Sequence, residues 1–100
     1  MTSSEPTDTF VIYYTKPRDL WAAFSIQTRQ VGVGANPKEA LANAIAAAHQ
    51  AIEASAEHIG AHVCNATYEL MLTLGRVAQP LTDGECSPGL VYKYERAWPR

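Results

Sequence analysis

The sequence predicts an α+β domain: an antiparallel sheet of three or four strands with one long helix packed across a face. Three observations predict it. Short β-branched and aromatic runs occupy residues 9–35. A capped, alanine-rich helical run follows from Asn36. A last alternating run, Leu90–Arg96, comes near the end. One hundred residues, 47% apolar and 18% charged, are enough for one domain with a modest core.

Residues 1–8 are polar and are expected to form a flexible tail, with a single domain over 9–100. Thr9–Thr15 is a strand so uniformly apolar that both of its faces should be covered. Lys16-Pro17-Arg18-Asp19 supplies a turn, with proline pre-set for its second position. Leu20–Thr28 alternates as a second strand, and Gln30–Ala35 carries a third with Val31 and Val33 on one face. Thr28-Arg29-Gln30 contains no Gly, Pro, Asn or Asp, so one bent strand is an alternative to two. Gly32 and Gly34 point to close backbone approach or a bulge; Gly-Val-Gly lacks the third glycine of a dinucleotide loop.

Asn36 is the expected N-cap of the main helix, Pro37 fits its first position, and Glu39 can reach back to the cap N–H. Leu41, Ile45, Ala48, Ile52, Ala56 and Ile59 then recur on one face, and Gly60 is the expected C-cap. Residues 61–78 fit two patterns. Val63, Ala66, Leu70, Thr73 and Val77 keep helical spacing, whereas Tyr68, Leu70, Leu72 and Leu74 alternate as in a strand. Length and composition favour a second helix, ended by Gln79-Pro80. Residues 81–89 have loop chemistry, and Leu90, Tyr92 and Tyr94 share a face of the final strand.

The net charge of −2 is unevenly spread. Residues 39–85 hold Glu39, Glu53, Glu57, Glu69, Asp83 and Glu85 against Arg76 alone. Such an acidic middle is either a solvated helix face or a surface that meets a basic partner. No basic footprint for nucleic acid is present. The first residues lack a secretory pattern and no apolar run spans a bilayer, so the expected compartment is the cytoplasm, with Cys64 and Cys86 as reduced thiols.

Trp21-Ala22-Ala23-Phe24 and Gly34-Ala35-Asn36-Pro37-Lys38-Glu39-Ala40-Leu41-Ala42-Asn43-Ala44 together resemble the HicB antitoxin family. That family has an aromatic-rich second strand, a third strand ending in glycine, and a capped helix beginning Glu-Ala-Leu with a nearby asparagine. The likeness covers about residues 9–57; Ser25–Gln30 lacks the family's Asp-Leu-Pro-Gly type of loop. The resemblance implies a β-β-β-α unit with a C-terminal helix or strand. It implies a non-catalytic, antitoxin-like or regulatory domain that masks a small basic RNA-cleaving toxin. A general inhibitor or adaptor protein is the alternative reading, and a small His/Cys metalloenzyme the third.

The expected partner-binding residues are Glu53, Glu57, Glu69, Trp21 and Tyr13, in a chain expected to self-associate. His58, His62 and Cys64, with Cys86 in a loop, offer metal-ligating atoms, but no four-ligand zinc spacing is met, so no metal or cofactor is expected. His49, Glu53 and Glu57 at four-residue steps read as a polar helix flank, and no catalytic set is assigned.

Overall fold

Alternation along the first strand places packing on both sides of one sheet. The computed structural model describes residues 7–54, 65–82, 84 and 86–97. In β1 (Thr7–Thr15), Phe10 and Ile12 point to one side and Val11 to the other, and all three are fully buried. A short 3-10 turn, Lys16–Arg18, leads into β2 (Leu20–Ser25), which pairs antiparallel with β1. Asp19 ends the turn in the left-handed region, φ 52°, and accepts a hydrogen bond from the Tyr14 hydroxyl.

β3 (Val31–Gly34) pairs antiparallel with β2, and α1 (Pro37–Ala54) and α2 (Asn65–Val77) follow. The chain continues through β4 (Gln79–Pro80) and β5 (Tyr92–Ala97). The strand order is β3-β2-β1-β5-β4. The class is α+β as predicted, but the sheet has five strands and is mixed, not antiparallel with three or four. The extra strand is Gln79-Pro80, read from sequence only as a helix terminator. Gln79 N–H donates to Val91 O at 3.0 Å and Leu81 N–H to Lys93 O at 2.8 Å, a parallel ladder beside β5. Pro80 falls between those donors, at an edge where its missing N–H costs nothing.

One face of the sheet carries α1. Phe10, Ile12, Trp21, Ala23 and Tyr92 pack against Ala40, Leu41, Ala44 and Ala48. Ile45 sits at the margin of this cluster, so the helix meets the sheet chiefly through alanine instead of the predicted leucine–isoleucine stripe. Gly32 and Gly34 explain why. A Cβ on Gly32 would lie 2.1 Å from Ala44 N, and one on Gly34 2.7 Å from Ala40 N. The helix backbone rests directly on the strand, and only small residues fit on either side.

The start of α1 is capped as expected: Glu39 N–H donates to Asn36 Oδ1 at 2.9 Å. The Glu39 carboxylate reaches back one residue further than predicted, accepting from Ala35 N–H at 3.3 Å. The predicted helix end at Ile59–Gly60 lies outside the described residues.

The other face carries α2, with Met71 in a cluster with Val11 and Phe24. The helical alternative for residues 61–78 therefore holds over Asn65–Val77.

β1 begins at Thr7, which takes Asp8 out of the expected tail and buries it completely. Its carboxylate accepts from the Ser25 hydroxyl and from Gln27 N–H at 3.0 Å. Ser25 Oγ in turn accepts from Thr28 N–H at 3.1 Å and lies 2.7 Å from the Thr28 hydroxyl. This knot ends β2 at Ser25 and makes the β2–β3 turn, with Arg29 at φ 60°. The two-strand reading therefore holds over its single-bent-strand alternative, with the second strand ending at Ser25 instead of Thr28.

Candidate functional site

The second helix is apolar on two faces, and only one of them is used by the fold. Tyr68, Met71 and Leu74 pack toward the sheet around Val11 and Phe24. Gly75 lets the helix close on the strands, since a Cβ there would stand 3.2 Å from Ile26 Cδ1 and 3.4 Å from Val11 Cγ2. Arg29 reaches over from the β2–β3 turn, its guanidinium 3.8 Å from the centre of the Tyr68 ring.

Leu70, Thr73 and Val77 follow the same helix at steps of three and four on the opposite side. Leu70 is 53% exposed and Val77 72% exposed. The sequence pattern gave these three helical spacing without saying which way they face, and the structure turns Tyr68, Met71 and Leu74 toward the sheet instead. Glu69 and Arg76 are exposed beside the outer stripe. Thr73 turns its hydroxyl inward to Glu69 O at 3.0 Å, which leaves its methyl as the outward atom of the stripe.

Of the residues expected to meet a partner, Glu69 alone is placed on this surface. Trp21 is packed beneath α1, edge-on to Tyr14 with ring centres 5.7 Å apart, and is only 7% exposed. Tyr13 is half-buried against the α2 cluster, and that burial raises its phenol above the ordinary value of 10.0. The Tyr14 phenol is also raised, first by its hydrogen bond to Asp19. The side chain of Glu53, and Glu57 as a whole, lie outside the described residues, as do His58, His62 and Cys64.

Cys86 is a free, half-buried thiol. It lines a cleft of about 320 Å³ with Asn36, Pro37, Lys38, Leu81, Thr82 and Gly84. Among the described residues the lining contains a thiol and an ammonium but no imidazole or carboxylate. No group of three or more His, Cys, Asp or Glu side chains suited to a metal is found among the described residues. No described helix is long and apolar enough to cross a membrane.

Sequence reasoning missed the outer stripe as a site although it had found the residues. Their spacing was visible; which of two apolar faces the sheet would take was not. Comparison with known proteins adds no assignment: no family model, no curated protein and no solved structure matches the chain.

Proposed function

We propose that this domain is a non-catalytic protein-binding module, antitoxin-like in its mode of action, that docks a small basic protein on the outer face of α2. The observation that carries the reading is the doubly apolar helix. A helix that already packs Met71, with Tyr68 and Leu74 half-buried beside it, against the sheet has no folding reason to display Leu70 and Val77 as well. Large side chains held out on a regular helix at three- and four-residue steps form a ready anchor for a partner's groove or helix.

Glu69 beside the stripe supplies a carboxylate that Arg76 on the same surface offsets, so the preference for a basic partner rests on the acidic balance of residues 39–85. The resemblance of residues 9–57 to HicB antitoxins makes a small RNA-cleaving toxin the partner of choice. A general inhibitor or adaptor would use the same surface.

The test is neutralisation in cells. Under this reading a neighbouring reading frame encodes a short basic protein that arrests growth when expressed alone, and this chain relieves the arrest. Leu70→Glu with Val77→Glu abolishes relief while the melting temperature stays within a few degrees of the parent. A neighbouring frame of another kind, or relief untouched by the double change, refutes the toxin-masking reading.

A further inference from the structure

The outer stripe of α2 also points to an occupant of its own. Leu70, Thr73 and Val77 recur at three and then four residues, the a, d, a spacing of a helix that pairs with another helix along a narrow seam. Glu69 and Arg76 each precede an a position, so they stand on one flank of that seam, seven residues apart. Both are exposed, and neither makes an ion pair among the described residues.

This pattern complements itself in one direction only. In a parallel pair Glu69 would stand level with Glu69 of the other copy, and Arg76 with Arg76. In an antiparallel pair about a two-fold axis, Glu69 of each copy flanks Arg76 of the other, and symmetry forms two such ion pairs together. The same register brings Leu70 of each copy level with Thr73 of the other. The Thr73 hydroxyl is held by Glu69 O, so its methyl meets the leucine. Val77 lies at either end of the seam.

We propose that α2 packs antiparallel against α2 of a second copy of this chain when no other partner occupies it. The charges select this occupant. Glu69 and Arg76 offset each other toward a partner of one sign, yet each meets its opposite in a second copy. The stripe lies on the side of the helix away from Met71, Val11 and Phe24, so a second helix seats there without meeting the sheet. Lys93 and Glu95 line a groove with Arg76, but they pair with each other at 4.0 Å and add no net charge to that flank.

The inference deepens the reading of this stripe as a docking face and rests on it: a second copy and the basic partner take the same surface in turn. The contact is small. A helix of 13 residues is about 20 Å long, and its seam belongs with interfaces below about 1,200 Å², which form transient complexes. The dimer dissociation constant is then on the order of 100 µM, weak enough for a basic partner to displace the second copy.

The experiment is sedimentation equilibrium from about 1 µM to 1 mM at low salt, with far-UV circular dichroism confirming the fold of each variant. The parent mass is expected to rise from the chain mass of 10.9 kDa toward twice that value. Glu69→Arg sets arginine against arginine, and Arg76→Glu sets glutamate against glutamate; each raises the dissociation constant about tenfold. Glu69→Arg combined with Arg76→Glu restores the parent value to within about threefold, and an equimolar mixture of the two single variants forms a one-to-one dimer. A dimer indifferent to Glu69→Arg, or a combined variant as weak as the single ones, overturns the proposal. A parent that stays monomeric, while Leu70→Glu with Val77→Glu still abolishes relief of growth arrest, overturns self-pairing alone. A dimer that follows the charges, in a protein whose relief ignores that double change, overturns the docking reading alone.

Discussion

Replacing Gly32 by alanine is the sharpest test of how the sheet and main helix are held together. The added Cβ would stand 2.1 Å from Ala44 N, 2.6 Å from Asn43 C and 2.7 Å from Ala40 O. All three are helix backbone, so no side chain can rotate out of the way. Ordinary contact begins near 3.4 Å, which means α1 must lift by about 1 Å or β3 must bend. Ala40, Ala44 and Ala48, now fully buried, would lose contact along that face.

Overpacking of a tight core costs about 1–3 kcal/mol, and a backbone clash belongs at or above the upper end. The smaller entropy of an unfolded alanine chain returns about 0.4–1 kcal/mol. The net loss should be about 2–4 kcal/mol, or a fall in melting temperature of roughly 10–25 °C at about 4–8 °C per kcal/mol. Urea titration followed by circular dichroism measures it, with Gly89→Ala as the control. A Cβ at Gly89 finds its nearest neighbour 3.7 Å away and should change stability by less than about 0.5 kcal/mol. Equal stability of the two variants would refute the close approach of α1 to β3.

Asp8→Ala leaves the Ser25 hydroxyl and Gln27 N–H without their acceptor in a buried turn and should cost about 3 kcal/mol by the same titration. Arg29 separates two effects: Arg29→Ala loses the contact with Tyr68 and keeps the left-handed backbone, for a cost of about 0.5–1 kcal/mol. Arg29→Gly loses the same contact but relieves the strain, and thermal melts should place it at or above the alanine variant. Raised phenols at Tyr13 and Tyr14 mean that the native state holds protons the unfolded chain has released. Stability should therefore be unaffected by these groups below pH 10 and fall as pH rises above it, with Tyr13→Phe reducing the fall in alkaline urea titrations.

Local signals were read well where one residue type decides the outcome. Asn36, Pro37 and Glu39 fix the start of α1 because capping is chemistry within four residues. Gly32 and Gly34 announced a close approach, although not that a helix backbone would be what approached. The uniformly apolar β1 foretold cover on both faces, and both helices supply it.

What escaped depends on contacts distant in sequence. The β2–β3 turn contains none of the usual turn residues because Asp8, 17 positions before Ser25, completes it. β4 is two residues long, below any periodicity, and exists only because β5 is there to pair with it. Leu70, Thr73 and Val77 were as regularly spaced as Tyr68, Met71 and Leu74. Ring contact with Arg29 and the fit of Gly75 against Ile26 and Val11 settle which face turns inward. Local pattern found the candidate residues and could not say which were left over.

Titration of the purified chain with the short basic protein that the proposed function expects a neighbouring frame to encode, by calorimetry at low and high ionic strength, tests the central claim most directly. The account predicts one saturable site, weakened by salt, with Glu69→Lys costing up to about tenfold in affinity. Leu70→Glu with Val77→Glu should cost about a hundredfold or more, because these are the apolar anchors, while the unfolding curve stays unchanged. Affinity equal to the parent's in the doubly substituted protein would contradict it, and would move the partner off the outer face of α2.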